Sequence, residues 1–124
     1  MRENVISELI IAAAIEVHRT LGPGLLESVY EEALCQEFRI RGIHFERQQA
    51  VPIDYKGTKL ATDLRLDLLV EGKVIVDVKA KMTELDHAKT LTYLRLTNTR
   101  LVLNMNFHEP RLVGGIKRIV NNLQ

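Results

Sequence analysis

Two aspartates near the middle of this 124-residue chain are of the type and at the spacing that could hold a divalent cation, and a lysine stands two residues after the second. They lie on two apolar runs, LRLDLLV (64–70) and VIVDVK (74–79), joined through Glu71-Gly72-Lys73. If the runs form a hairpin with a two-residue loop, Asp67 opposes Val76 and Asp77 opposes Leu66, and both sheet faces mix charge with apolar side chains. With Glu71-Gly72-Lys73 as the loop, one face carries Leu66/Val78, Leu68/Val76 and Val70/Val74. The other carries Arg65/Lys79, Asp67/Asp77 and Leu69/Ile75. A one-residue slip flips every side chain, so burial selects the second register. A three-residue hairpin loop containing glycine is also a common type.

That register has a cost. Directly opposed side chains have β-carbons about 4.5–5.5 Å apart, where like charges destabilise. Two carboxylates ~4 Å apart repel by about 1 kcal/mol in water and about 4 kcal/mol at an effective dielectric of 20. Something positive must therefore stand near Asp67 and Asp77. Lys79 is one candidate, on the same face and roughly 6.6 Å further along the strand than Asp77. A hard divalent cation is the other, since such ions take one or two carboxylates plus water and substrate phosphate. The plainer alternative is a solvated sheet face on which Arg65 and Lys79 neutralise the acids. Leu69 and Ile75 argue against it, because they make one end of that face apolar, as if the sheet were covered there and open to a cleft at the other.

The elements that must position these residues follow from periodicity. Residues 3–21 carry Ile6, Leu9, Ile10, Ala13 and Val17 at the spacing of a buried helix face. Ile11, Ala14 and Ile15 broaden the stripe, so this helix is expected to be covered on most sides. Gly22-Pro23-Gly24 stops it. A second helix is expected over 26–41 with Leu26, Val29, Tyr30, Ala33, Leu34 and Phe38 inward, closed by a left-handed Gly42. Residues 44–55 and 58–63 read as extended chain around a Lys56-Gly57 turn, with Pro52 marking an edge strand. Thr83, with Asp86 three residues on, resembles a helix start and places a helix over 83–96. Residues 101–107 read as a strand and 112–123 as a short closing helix. The order ααβββαβα argues an α/β sandwich built on a mixed sheet flanked by helices.

Length and composition narrow the field. One domain spanning 1–124 is expected, with 46% hydrophobic and 27% charged residues. The single cysteine, Cys35, allows no internal disulfide or cysteine-based zinc cluster and fits a reducing, cytoplasmic setting. No run approaches the ~20 apolar residues of a membrane span, so no membrane partner is expected. Net charge is +1, but residues 1–76 carry nine bases against twelve acids while 77–124 carry eight against four. The positive part could face a polyanion, and scattered surface lysines would give the same count. The four histidines lack metal-ligand spacing and read as structural or surface residues.

The motif Gly24-x-x-Glu27-x-x-Tyr30 within VHRTLGPGLLESVYEEAL, together with RLDLLV (65–70), Asp77-Val78-Lys79, Tyr93-Leu94 and the closing IKRIV (116–120), resembles the GxxExxY proteins, a branch of the PD-(D/E)xK nuclease superfamily. The similarity runs from about Ile6 to Val120. It implies a restriction-endonuclease-like fold in which Asp67, Asp77 and the Val78 carbonyl bind Mg²⁺ or Mn²⁺. Glu27 would complete the acidic cluster, and Lys79 would orient or help deprotonate the attacking water. Tyr30 would steady the site by packing. Lys89 and Tyr93 match positions where related nucleases place a glutamine and a tyrosine; Tyr93 agrees, whereas Lys89 replaces glutamine. Taken by themselves, Glu27 reads as an ordinary helix-start charge and Lys89 as a solvated lysine.

The expectation is thus a metal-dependent phosphodiesterase acting on nucleic acid, DNA ahead of RNA. Its supporting residues would be Tyr30, Arg65, Lys89 and Tyr93, with a homodimer spanning a duplex as a further implication of the resemblance. The alternative is a nuclease-fold binding or interaction module without turnover. Near-neutral charge, a 5% aromatic content that offers few stacking platforms, and Lys89 in place of glutamine favour it.

Overall fold

The computed structural model describes residues 1–79 and 84–121. Helix α1 (Glu3–Leu21) and helix α2 (Glu27–Arg41) lead into strand β1 (Phe45–Val51), a small hairpin of β2 (Asp54–Tyr55) and β3 (Thr58–Lys59), then β4 (Leu64–Val70) and β5 (Val74–Lys79). Helix α3 (Glu84–Thr97), strand β6 (Leu101–Asn106), a 3-10 turn (Leu112–Gly115) and strand β7 (Ile116–Val120) follow. The main sheet has the order β1-β4-β5-β6-β7, with β5 and β6 parallel and the other pairs antiparallel. A parallel pair needs a crossover, which α3 supplies.

Helices α1 and α2 cover one sheet face. Ile6, Ile10, Ala13, Val17, Tyr30, Leu34 and Phe38 pack there on Leu68, Val70, Val76, Leu103 and Met105. Helix α3 covers the other face, where Leu94 and Tyr93 meet Ile75, Val102, Leu69 and Ile119. The architecture is therefore the expected mixed-sheet sandwich. Helix α2 ends at Gly42, whose φ of 70° and ψ of 28° are left-handed. Residues Lys56 and Gly57 turn the small hairpin with φ of 49° and 86°, the two positive values of a two-residue primed turn.

Three expectations are corrected. The closing helix is a strand. Residues 116–120 pair with β6, and Ile116 and Ile119 join opposite cores, the period of a strand and not of a helix. Strand β6 is buried from Leu101 to Met105, so its outer backbone groups would lack partners without β7. The extended stretch 58–63 pairs only over Thr58–Lys59. Finally, Leu9 and Ile15 of α1 and Leu26 and Val29 of α2 are exposed, because each helix touches the sheet along one stripe. The proposed Thr83 cap lies outside the described residues.

Gly115 allows the chain to turn back along β6. A Cβ there would clash with the Asn106 carbonyl oxygen, which belongs to backbone that cannot swing away. We expect Gly115→Ala to lower stability by about 1–3 kcal/mol, an overpacking cost. Urea denaturation followed by circular dichroism would measure it, and an unchanged midpoint would contradict it.

Candidate active site

The site forms where two strands lose their regular pairing. Strands β4 and β5 pair Leu68 with Val76, Leu69 with Ile75 and Val70 with Val74, the register of the three-residue loop. Glu71 and Gly72 make that turn with φ of 52° and 67°. Beyond Leu68 and Val76 the ladder ends, so neither Asp67/Asp77 nor Arg65/Lys79 is a backbone pair. The freed Val78 N–H donates instead to Asp67 Oδ2 at 3.0 Å. In a strand, N–H and carbonyl of one residue leave on the same edge, so the Val78 carbonyl is also turned toward β4.

The strands also change faces here. Leu68 and Val70 belong to the core under α1 and α2, whereas Leu66 belongs to the core under α3. On the neighbouring strand Phe45 packs with the first core and Val51 with the second. The switch falls at Asp67 on β4 and at Gln48 on β1, where φ is 54°. A left-handed conformation at a non-glycine residue costs about 1–3 kcal/mol and persists only where surrounding contacts impose it. The uniform alternation expected from sequence, with Leu66 beside Leu68 on one face, is corrected by this kink.

Asp77 is buried, at 5% exposure, on the face covered by α3. Burial, the Asp67 charge and a side-chain hydrogen bond with Asp67 push its pKa up to about 6, against partial relief from Lys79 and Lys89. For Lys79, burial disfavours the ammonium, but the carboxylates of Asp77, Asp67, Asp86 and Glu27 outweigh it and hold the pKa above the ordinary lysine value. Lys79 therefore works as a fixed positive charge and is a poor proton acceptor.

The remaining five candidates take different positions. Glu27 opens α2 and lies within electrostatic reach of Lys79. Among the described residues no group of three His, Cys, Asp or Glu side chains is placed to hold a metal ion. Lys89 is exposed, and its positive charge acts on Asp77. Tyr93 packs in the core under α3. Arg65 donates to the Gln48 carbonyl at 3.1 Å. Tyr30 is fully buried, stacks on Phe107 at 4.6 Å, donates to the Gly22 carbonyl at 2.5 Å and accepts from the Leu25 N–H at 3.0 Å. Its hydroxyl thus ties down the loop that aims Glu27.

Three residues were not singled out from sequence. Asp86 reads there only as part of a helix start, yet it faces Lys79. Asn104 stands beside Asp77 in the parallel ladder, 1% exposed, with Nδ2 3.5 Å from Thr90 Oγ1 and Oδ1 without a partner among the described residues. A polar residue inside the apolar run LVLNMN was the signal for it. Glu31, buried at 7%, binds Arg47 and Gln48, and nothing in its spacing announces that. Cys35 is a buried free thiol whose pKa burial raises, which makes it inert.

The fold and this carboxylate–lysine arrangement define a nuclease-like α/β domain. The sequence profile of the PD-(D/E)XK nuclease superfamily matches residues 4–119, and the chain belongs to that superfamily. The chain matches no curated protein and no solved structure at a significant level. No helix among the described residues is long and apolar enough to cross a membrane.

Proposed function

We propose that this chain is a GxxExxY-type member of its superfamily and a metal-dependent phosphodiesterase acting on nucleic acid, with DNA as the first substrate to test. The observation that carries this reading is the contact between Asp67 and Asp77 at the open end of a hairpin, with Lys79 facing both. Nucleases of this superfamily generally use divalent metals. The donors available here are all oxygens: two carboxylates and a strand carbonyl, a set that suits Mg²⁺ or Mn²⁺. The raised Asp77 pKa supports the same fit, because a buried acidic pair is short of positive charge.

Asp67, Asp77 and the Val78 carbonyl would hold the ion, with Glu27 as the further acid that the family resemblance adds. When bound, such an ion acts as a Lewis acid and lowers the pKa of a coordinated water. Lys79 keeps its proton and stabilises charge that develops on the phosphate oxygens. Lys89, on the same side as Asp77, attracts the phosphate of an approaching strand. Tyr30 and Arg65 act on backbone: Tyr30 holds the 22–25 loop, and Arg65 holds β1 at Gln48. A homodimer would let two such sites address the two strands of a duplex. The buried, reduced Cys35 suits a cytoplasmic setting.

A second reading, binding without turnover, is favoured by two observations. Among the described residues no three His, Cys, Asp or Glu side chains are placed to hold a metal ion, and the positive charge of Lys89 acts on Asp77. Metal-dependent cleavage of single- and double-stranded DNA and RNA separates the two, and no cutting with Mg²⁺ or Mn²⁺ on any of them removes the enzyme. A Mn²⁺ titration then decides whether the aspartates bind metal. The expected result is a raised melting temperature for wild type and none for Asp77→Ala; equal responses would refute the site. If cleavage is found, Lys79→Ala should lower kcat about 10²–10³-fold with little change in KM, as for loss of one transition-state donor.

A further inference from the structure

Glu31 is a buried carboxylate that no step of the proposed chemistry uses. It receives Arg47 Nε at 2.7 Å and Gln48 Nε2 at 3.0 Å on Oε1 and 3.3 Å on Oε2. Its partners are therefore the last residue before the face switch on β1 and the left-handed residue at the switch itself. From the other strand, Arg65 donates to the carbonyl of that same Gln48. Arg47 pairs with Leu68 and Gln49 pairs with Leu66, so Gln48 stands level with Asp67, between two regular pairs.

We propose that Glu31 is a positioning residue for Asp67: by clasping Arg47 and Gln48 it holds β1 in the kink that makes β4 switch faces at Asp67. The switch turns the Asp67 carboxylate along the sheet toward β5, where it receives the Val78 N–H. Without the clasp, Gln48 relaxes to an ordinary extended conformation. Strand β4 then keeps its alternation, and Asp67 leaves the Val78 amide. The inference concerns the same aspartate as the proposed metal site, but the geometry exists without metal, so it can be tested with the metal-free chain.

The test is amide hydrogen exchange on the full ¹⁵N-labelled, metal-free chain. In Glu31→Gln, protection of the Val78 amide should fall by about tenfold or more, while Val76 and Leu103, inside the regular ladder, keep theirs. Glycine reaches the left-handed region without a clasp. Gln48→Gly alone should therefore leave Val78 protected, and Glu31→Gln/Gln48→Gly should recover its protection. Unchanged Val78 protection in Glu31→Gln overturns the inference, and so does an equal loss at all three amides. If Glu31→Gln does not fold, the double variant decides: a folded chain with Val78 protected supports the clasp, and any other result rejects it. None of these readouts depends on cleavage or metal binding, so failure of the proposed function leaves this result standing and the converse also holds.

Discussion

Asp77→Asn should abolish metal-dependent cleavage, by on the order of 10³-fold or more, while making the metal-free protein more stable near neutral pH. The two effects share one cause. Asp77 is buried against Asp67, which raises its pKa from 3.8 to about 6 in the folded chain. At about 1.4 kcal/mol per unit, ionised Asp77 costs the fold up to about 3 kcal/mol. A folded-state pKa above the unfolded value means that the folded chain binds the extra proton. The associated stability is present below about pH 3.8 and is lost as pH rises to about 6. Wild type should therefore lose stability relative to Asp77→Asn across that interval, and the gap between them should then stay constant. Urea unfolding of both proteins at pH 4 and pH 7 measures it. A gap that does not change with pH would show that the carboxyl is solvated and that the site is misread.

Tyr30 should give the second large effect. Tyr30→Ala removes a fully buried ring stacked on Phe107 and should cost about 3–5 kcal/mol. Tyr30→Phe keeps the stack but leaves the Gly22 carbonyl and the Leu25 N–H without their shared partner, which should cost about 1–3 kcal/mol. Because that loop leads directly into Glu27, Tyr30→Phe should also lower cleavage more than its stability loss explains. Urea midpoints for the two variants, with cleavage rates measured well below the unfolding range, separate the effects. A Phe variant as stable as wild type would mean that water replaces the hydroxyl without loss.

The motif from Gly24 to Tyr30 and the kink at Gln48 meet in one design. Helix α2 supplies Glu27 toward the lysine, Tyr30 toward the loop and Glu31 toward β1. Consecutive positions Tyr30 and Glu31 thus hold two different segments around the aspartates.

Much of this was legible in order of residues alone. Helical and strand periods set α1, α2, β4, β5 and β6, because burying one face is enough to choose between 3.6 and 2.0 residues per repeat. The hairpin register followed from the same rule, since a single slip would have placed charge in the core. Those two facts brought Asp67, Asp77 and Lys79 to one end of the sheet. The closing segment, expected as a helix over 112–123, contains the strand 116–120, because IKRIV is short enough to suit either period. Only the need of β6 for a second neighbour decided it. Likewise Asp86, Asn104 and Glu31 carry no local signal that separates them from capping, core or surface residues, since their partners lie on other elements. The kink at Gln48 and Asp67 belongs to the same class: periodicity assumes that a strand keeps its faces, and a contact from a distant helix can overrule it.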